Sequence, residues 1–63
     1  MGNDYHSTYV NGDRRADLLQ VKGEWAVDYF VNNVFTKQEV YKGHSRPYAE
    51  RAAENYVDGV KDI

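Results

Sequence analysis

His44 and Ser45 are neighbours, and serine beside histidine is the residue pair from which a nucleophile and its general base are built. Such a pair acts only when the hydroxyl lies within hydrogen-bond reach of the imidazole and a third group orients the ring. Residues adjacent in sequence rarely meet in that way, and no third residue suggests itself. Ser45 also precedes a helical pattern, where its hydroxyl would serve as an N-cap. No catalytic residue is assigned, and the chain is not expected to be an enzyme. It has no cysteine, and its two histidines, His6 and His44, are far apart in sequence. Disulfides and cysteine zinc sites are excluded, and neither a metal site nor a cofactor is expected.

Carboxylates and aromatic rings are the remaining residues with binding chemistry. Glu50, Glu54, Asp58 and Asp62 recur at every fourth position, which aligns them as an acidic ridge on a helix. A ridge can dock a basic partner, but a solvated face is the favoured reading. Arg46, Arg51 and Lys61 are placed to offset Glu50, Glu54 and Asp58. Six tyrosines, two phenylalanines and one tryptophan are a heavy aromatic load for 63 residues. Large side chains help a short chain build a core, and they also favour contact sites. Phe30 and Phe35, with Tyr41 and Lys37 beside them, form the candidate interaction surface. Arg14, Arg15 and Lys22 make a small basic spot, read as flanking a strand.

These residues need elements to hold them. From Leu18 to Val31 the odd positions carry Leu19, Val21, Gly23, Trp25, Val27, Tyr29 and Val31, and β-branched and aromatic residues are frequent. This alternation predicts one long strand over about 18–31, bent or bulged at Gly23. A turn at Lys22-Gly23 would move Leu19 and Val21 to the face opposite Trp25 and Val27, and is not expected for that reason. A short helix over Arg14–Lys22, capped by Asp13, is the competing reading of the first part. Asn32-Asn33 suits a type I′ hairpin turn, whose two central residues need positive φ. A second strand over about 34–42 follows. In the plain hairpin register Val31 pairs with Val34, Phe30 with Phe35, Tyr29 with Thr36, Asp28 with Lys37 and Trp25 with Val40.

Ser45 and Pro47 open a helix over about 46–61, with Ala49, Ala52, Ala53, Tyr56, Val57 and Val60 as its apolar stripe. Gly59 is a weak point in its last turn. Residues 1–13 are mostly polar and read as a tail, with a turn signal at Asn11-Gly12 and at most a short strand near Thr8–Val10. The expectation is one α+β domain over 14–63: a β-hairpin or small antiparallel sheet packed on one C-terminal amphipathic helix.

At this length a single core is marginal and is commonly supplemented by association. Leu18, Leu19, Gln20 and Val21 would extend past the hairpin without a partner strand, so they are the candidate dimer strand of a two-fold homodimer. No apolar run approaches the ~18 residues of a membrane span. The first residues have no apolar core of a signal peptide, and Ser7 lies one place beyond the myristoylation pattern. With no cysteine, a cytoplasmic setting is expected and no membrane contact. Eight basic against ten acidic side chains give a net charge of −2, which weighs against a general nucleic-acid binder.

The segment Gly23-Glu24-Trp25, the hairpin after it, and the run from Gly43-His44-Ser45-Arg46-Pro47-Tyr48-Ala49-Glu50 through Ala52-Ala53-Glu54-Asn55 to Gly59 resemble small uncharacterised proteins of marine cyanophages. The resemblance covers about Gly23 to Gly59. It implies a viral, host-cytoplasmic setting and no particular chemistry. The expected function is a small phage-type interaction module that binds a host or viral protein. The alternative is a nucleic-acid-binding module that uses the hairpin face, with Arg14, Arg15, Lys22, Lys37 and Lys42 as its cations.

Overall fold

Two-residue turns fold the chain up to Val40 into a meander. The computed structural model describes residues 3–63. Strands β1 (Asn3–Asn11), β2 (Arg14–Val21), β3 (Glu24–Val31) and β4 (Val34–Val40) form one antiparallel sheet in the order β1-β2-β3-β4. Helix α1 (Arg46–Val57) follows and packs on one face of it. The α+β class, the small antiparallel sheet and the single C-terminal helix are as the sequence predicts. Among the described residues no helix is long and apolar enough to cross a membrane.

The expected long strand over 18–31 is two strands. Lys22 and Gly23 both take positive φ, 52° and 81°, as a type I′ turn requires, and Val21 pairs with Glu24 across them. The turn does move Leu19 and Val21 away from the Trp25 face. The core residues of β2 are instead Ala16 and Leu18, which join Val27 and Tyr29 against Ala49, Ala53, Tyr56 and Val57. Leu18 and Leu19 are both fully buried, on opposite faces of the sheet. The alternation along this stretch therefore permits either assignment of faces.

Asn3–Asn11, expected as a polar tail with at most a short strand near Thr8–Val10, is throughout edge strand β1 and pairs with β2 along its length. The domain accordingly begins before residue 14; Met1 and Gly2 lie outside the described residues. The β1–β2 turn falls on Gly12-Asp13, one residue later than the Asn11-Gly12 signal, and Asn11 pairs with Arg14. Residues 14–21 are strand, so the short-helix alternative does not form. With β1 on one side and β3 on the other, Leu18, Leu19, Gln20 and Val21 have no free edge. The candidate dimer strand is an interior strand of the monomer.

Asn32 and Asn33 form the predicted turn with φ of 52° and 64°, and the pairs Val31–Val34 and Phe30–Phe35 are as expected. Beyond them the register slips by one. Tyr29 pairs with Lys37, Asp28 with Gln38 and Ala26 with Val40, so Thr36 is the extra residue of a β-bulge. The bulge turns every later residue of β4 to the opposite face from the one expected.

Helix α1 ends earlier than the predicted 61. Gly59 takes φ of 82°, the Val60 N–H bonds the Asn55 carbonyl at 2.8 Å, and the Gly59 N–H bonds the Tyr56 carbonyl at 3.1 Å. This is a Schellman cap, so Gly59 stops the helix instead of weakening it. Val60 is solvent-exposed and leaves the apolar stripe. Arg14 completes the C-terminus from β2, donating to the carbonyls of Tyr56 (2.9 Å) and Lys61 (3.1 Å) and pairing with Asp62 (3.1 Å). A cation at that helix end also suits its partial negative charge.

Candidate functional site

The sheet buries one face under α1 and leaves the other without a covering element. On the uncovered face the register aligns side chains in rows that cross all four strands. One row is Val10, Arg15, Phe30 and Phe35; the next is Thr8, Asp17, Asp28 and Gln38; the third is Tyr5, Leu19, Ala26 and Val40.

The first row is aromatic and cationic. The Arg15 guanidinium lies 3.8 Å from the centroid of the Phe30 ring, and Phe30 meets Phe35 edge to face at 5.7 Å. Cation–π and edge-to-face contacts of these kinds are worth roughly 0.5–1.5 kcal/mol each. They hold the rings upright in a defined array. Phe35 remains 55% exposed and Val10 64%.

The middle row is acidic. Asp17 and Asp28 are directly opposite each other on β2 and β3. Asp28 is only 5% exposed; it accepts from Gln38 at 2.7 Å and from the Tyr5 hydroxyl at 3.1 Å. Asp17 accepts from Thr8 at 3.0 Å and pairs with Arg15 at 3.4 Å. To reach Asp28 from β1, the Tyr5 side chain crosses β2. Burial raises the Tyr5 phenol above its ordinary value, and the bond to Asp28 adds to the rise. Leu19 and Ala26 in the third row are fully buried, so surrounding side chains of the face close over them.

The four residues of the expected interaction surface are divided between the two faces. Phe30 and Phe35 lie together on the uncovered face, as the hairpin register predicts. The bulge at Thr36 puts Lys37 and Tyr41 on the helix side instead. There the Tyr41 hydroxyl bonds the Tyr29 hydroxyl at 2.6 Å and donates to Glu39. Lys37 and Lys61 approach the same carboxylate at 3.4 and 3.6 Å. Burial works to raise the Glu39 carboxyl, but the Tyr41 hydroxyl and the two lysines outweigh it and hold the group below its ordinary value. Burial also pushes Tyr29 up to about 12.

The acidic ridge does not form as one line. Glu50 pairs with Arg46 at 2.8 Å, as expected. Asp58 accepts from Asn11 at 3.2 Å, and Asp62 pairs with Arg14 beyond the end of the helix. Glu54 is exposed. Lys61 turns to Glu39 and not to Asp58. The basic spot is divided too: Arg14 serves the helix end, Arg15 the uncovered face, and Lys22 a distant turn. His44 stacks on Tyr48 at 3.8 Å, and no bond joins it to Ser45. Among the described residues, no three histidine, aspartate or glutamate side chains gather to hold a metal ion.

Sequence reasoning places Asp28 on the face with Phe30 and Phe35 but misses Tyr5, Val10, Arg15, Asp17 and Val40 as its members. Tyr5, Val10, Arg15 and Asp17 follow only from pairing with β1 or from the Lys22-Gly23 turn, and Val40 follows from the bulge. No family model, curated protein or solved structure matches this chain.

Proposed function

We propose that this chain is a small phage-type interaction module, with no chemistry of its own, that docks a host or viral protein on the uncovered face of its sheet. The observation that carries this is the unbroken row Val10–Arg15–Phe30–Phe35, exposed at both ends and held in place by its own side-chain contacts. Contact sites favour aromatic residues and arginine in such arrays. The resemblance of Gly23–Gly59 to small cyanophage proteins supports the viral setting.

Charge selects the occupant. The acidic row runs between the aromatic and cationic row and the Tyr5–Val40 row, and Asp17 is already paired with Arg15. The fitting partner therefore presents an apolar surface to Val10, Phe35, Tyr5 and Val40, with hydrogen-bond donors and no further acid at its centre. A second copy stacked face to face would bring the Asp17 and Asp28 rows together and take like charges out of water, which is costly. Nucleic acid would set phosphates against the same carboxylates, which weighs against that alternative despite the Arg15–Phe30 stack.

The test uses immobilised protein in lysate from infected and uninfected cyanobacteria. A partner retained by the native chain and by Glu54→Lys, but lost by Phe35→Glu, supports the reading. Phe35 is exposed, so this variant keeps its fold, which a melting curve verifies. Equal retention by both variants, or a dimer mass in light scattering that Phe35→Glu abolishes, contradicts it.

A further inference from the structure

A single helix, about 10–12 Å across, cannot cover four strands spaced about 4.8 Å apart. Helix α1 packs on β1, β2 and β3 and leaves the helix-side surface of β4 beside it. The result is a cleft of about 230 Å³, lined by Tyr41 from the end of β4, by Tyr48, Arg51, Ala52 and Asn55 from α1, and by Lys61 from the C-terminal segment. Tyr41 and Tyr48 meet edge to face at 5.4 Å and form its aromatic wall.

The charge around this cleft is positive. Lys61 is 3.6 Å from Glu39, whose carboxylate is also held by Tyr41 and Lys37. Arg51 is exposed, and among the described residues it has no ion pair or side-chain hydrogen bond. Its guanidinium is a planar fork suited to a carboxylate. The size is also informative. A cavity of about 150 Å³ holds benzene, and pockets for drug-sized ligands begin near 300 Å³.

We propose that this cleft binds a small aromatic carboxylate, its ring against Tyr41 and Tyr48 and its carboxylate on Arg51 and Lys61. The site is on the opposite side of the sheet from the docking face and does not depend on it. The experiment is a titration of the full chain with benzoate, followed by the amide resonances. Saturable shifts at Tyr48, Arg51, Asn55 and Lys61 are expected, with a dissociation constant of about 0.1–1 mM for a ligand of this size. Arg51→Ala, on an exposed helix position, should weaken binding by about tenfold or more. Benzyl alcohol and acetate, each lacking one half of the ligand, should bind more weakly than benzoate. A peptide ending in phenylalanine separates a chain terminus from a free acid as the natural source; the tighter binder identifies it. Shifts scattered over the surface, or an unchanged affinity in Arg51→Ala, overturn the proposal.

Discussion

Asp17 and Asp28 face each other across β2 and β3 on the sheet surface that no helix covers. Like charges directly opposite are destabilising in a sheet, and here they are tolerated through hydrogen bonds from Thr8, Arg15, Tyr5 and Gln38. Asp28→Asn removes one charge but keeps an acceptor for Gln38 and a donor for the Tyr5 oxygen. It should match or exceed native stability, by up to about 1 kcal/mol. Asp28→Ala should cost about 1–3 kcal/mol, because its bonded partners lose their acceptor. Urea unfolding of both variants checks this; an equal loss in each would mean that the charge itself is structural.

The β2–β3 turn stores strain at Lys22, a side-chain-bearing residue with φ of 52°. Asparagine visits this region more readily, and Asn-Gly is the favoured type I′ pair. Lys22→Asn should stabilise the fold by about 0.5–1 kcal/mol. A destabilised variant would contradict the turn.

Ser45 stands at the N-cap, but its side chain makes no capping bond. Ser45→Ala should therefore change stability by less than about 0.5 kcal/mol, the range of an ordinary surface substitution. Thermal melts decide it: a loss above about 1 kcal/mol would show that the hydroxyl caps the helix in solution.

Burial raises the Tyr29 hydroxyl to about 12, and burial, reinforced by the bond to Glu39, raises Tyr41. In the unfolded chain both ionise near the ordinary tyrosine value of about 10. The native state thus retains protons that the unfolded chain releases. Their contribution is complete below about pH 10 and is lost as the pH rises toward the folded values. The melting temperature should fall from about pH 10 to about 12, and less steeply in Tyr29→Phe/Tyr41→Phe. A flat profile over that interval would contradict the burial of this pair.

Legibility in the sequence follows how local each cause is. The Asn32-Asn33 turn, the Phe30–Phe35 pair and the helix stripe Ala49–Ala53–Tyr56–Val57 depend on neighbours within a few residues, and they are predicted. Strand β1 is legible only near Thr8–Val10, because Asn3, Asp4 and Asn11 have little strand propensity; pairing with β2 holds them extended. The Lys22-Gly23 turn is obscured because Leu18 and Leu19 are both buried, one on each face. The bulge at Thr36 has no composition signal, and it alone moves Lys37 and Tyr41 away from the phenylalanines. Phe30 and Phe35 therefore survive on the open face, and Tyr41 instead lines a cleft that no local pattern announces.

The central claim is that the uncovered face is where a partner docks. Its most direct measurement places a photo-reactive phenylalanine analogue at position 35 or, as a control, at position 54 on the exposed side of α1. Both proteins are irradiated in lysate from infected cyanobacteria. The account predicts one discrete cross-linked partner from position 35, competed away by unlabelled native protein, and none from position 54. A competable cross-link from position 54 alone, or none from position 35, would contradict it.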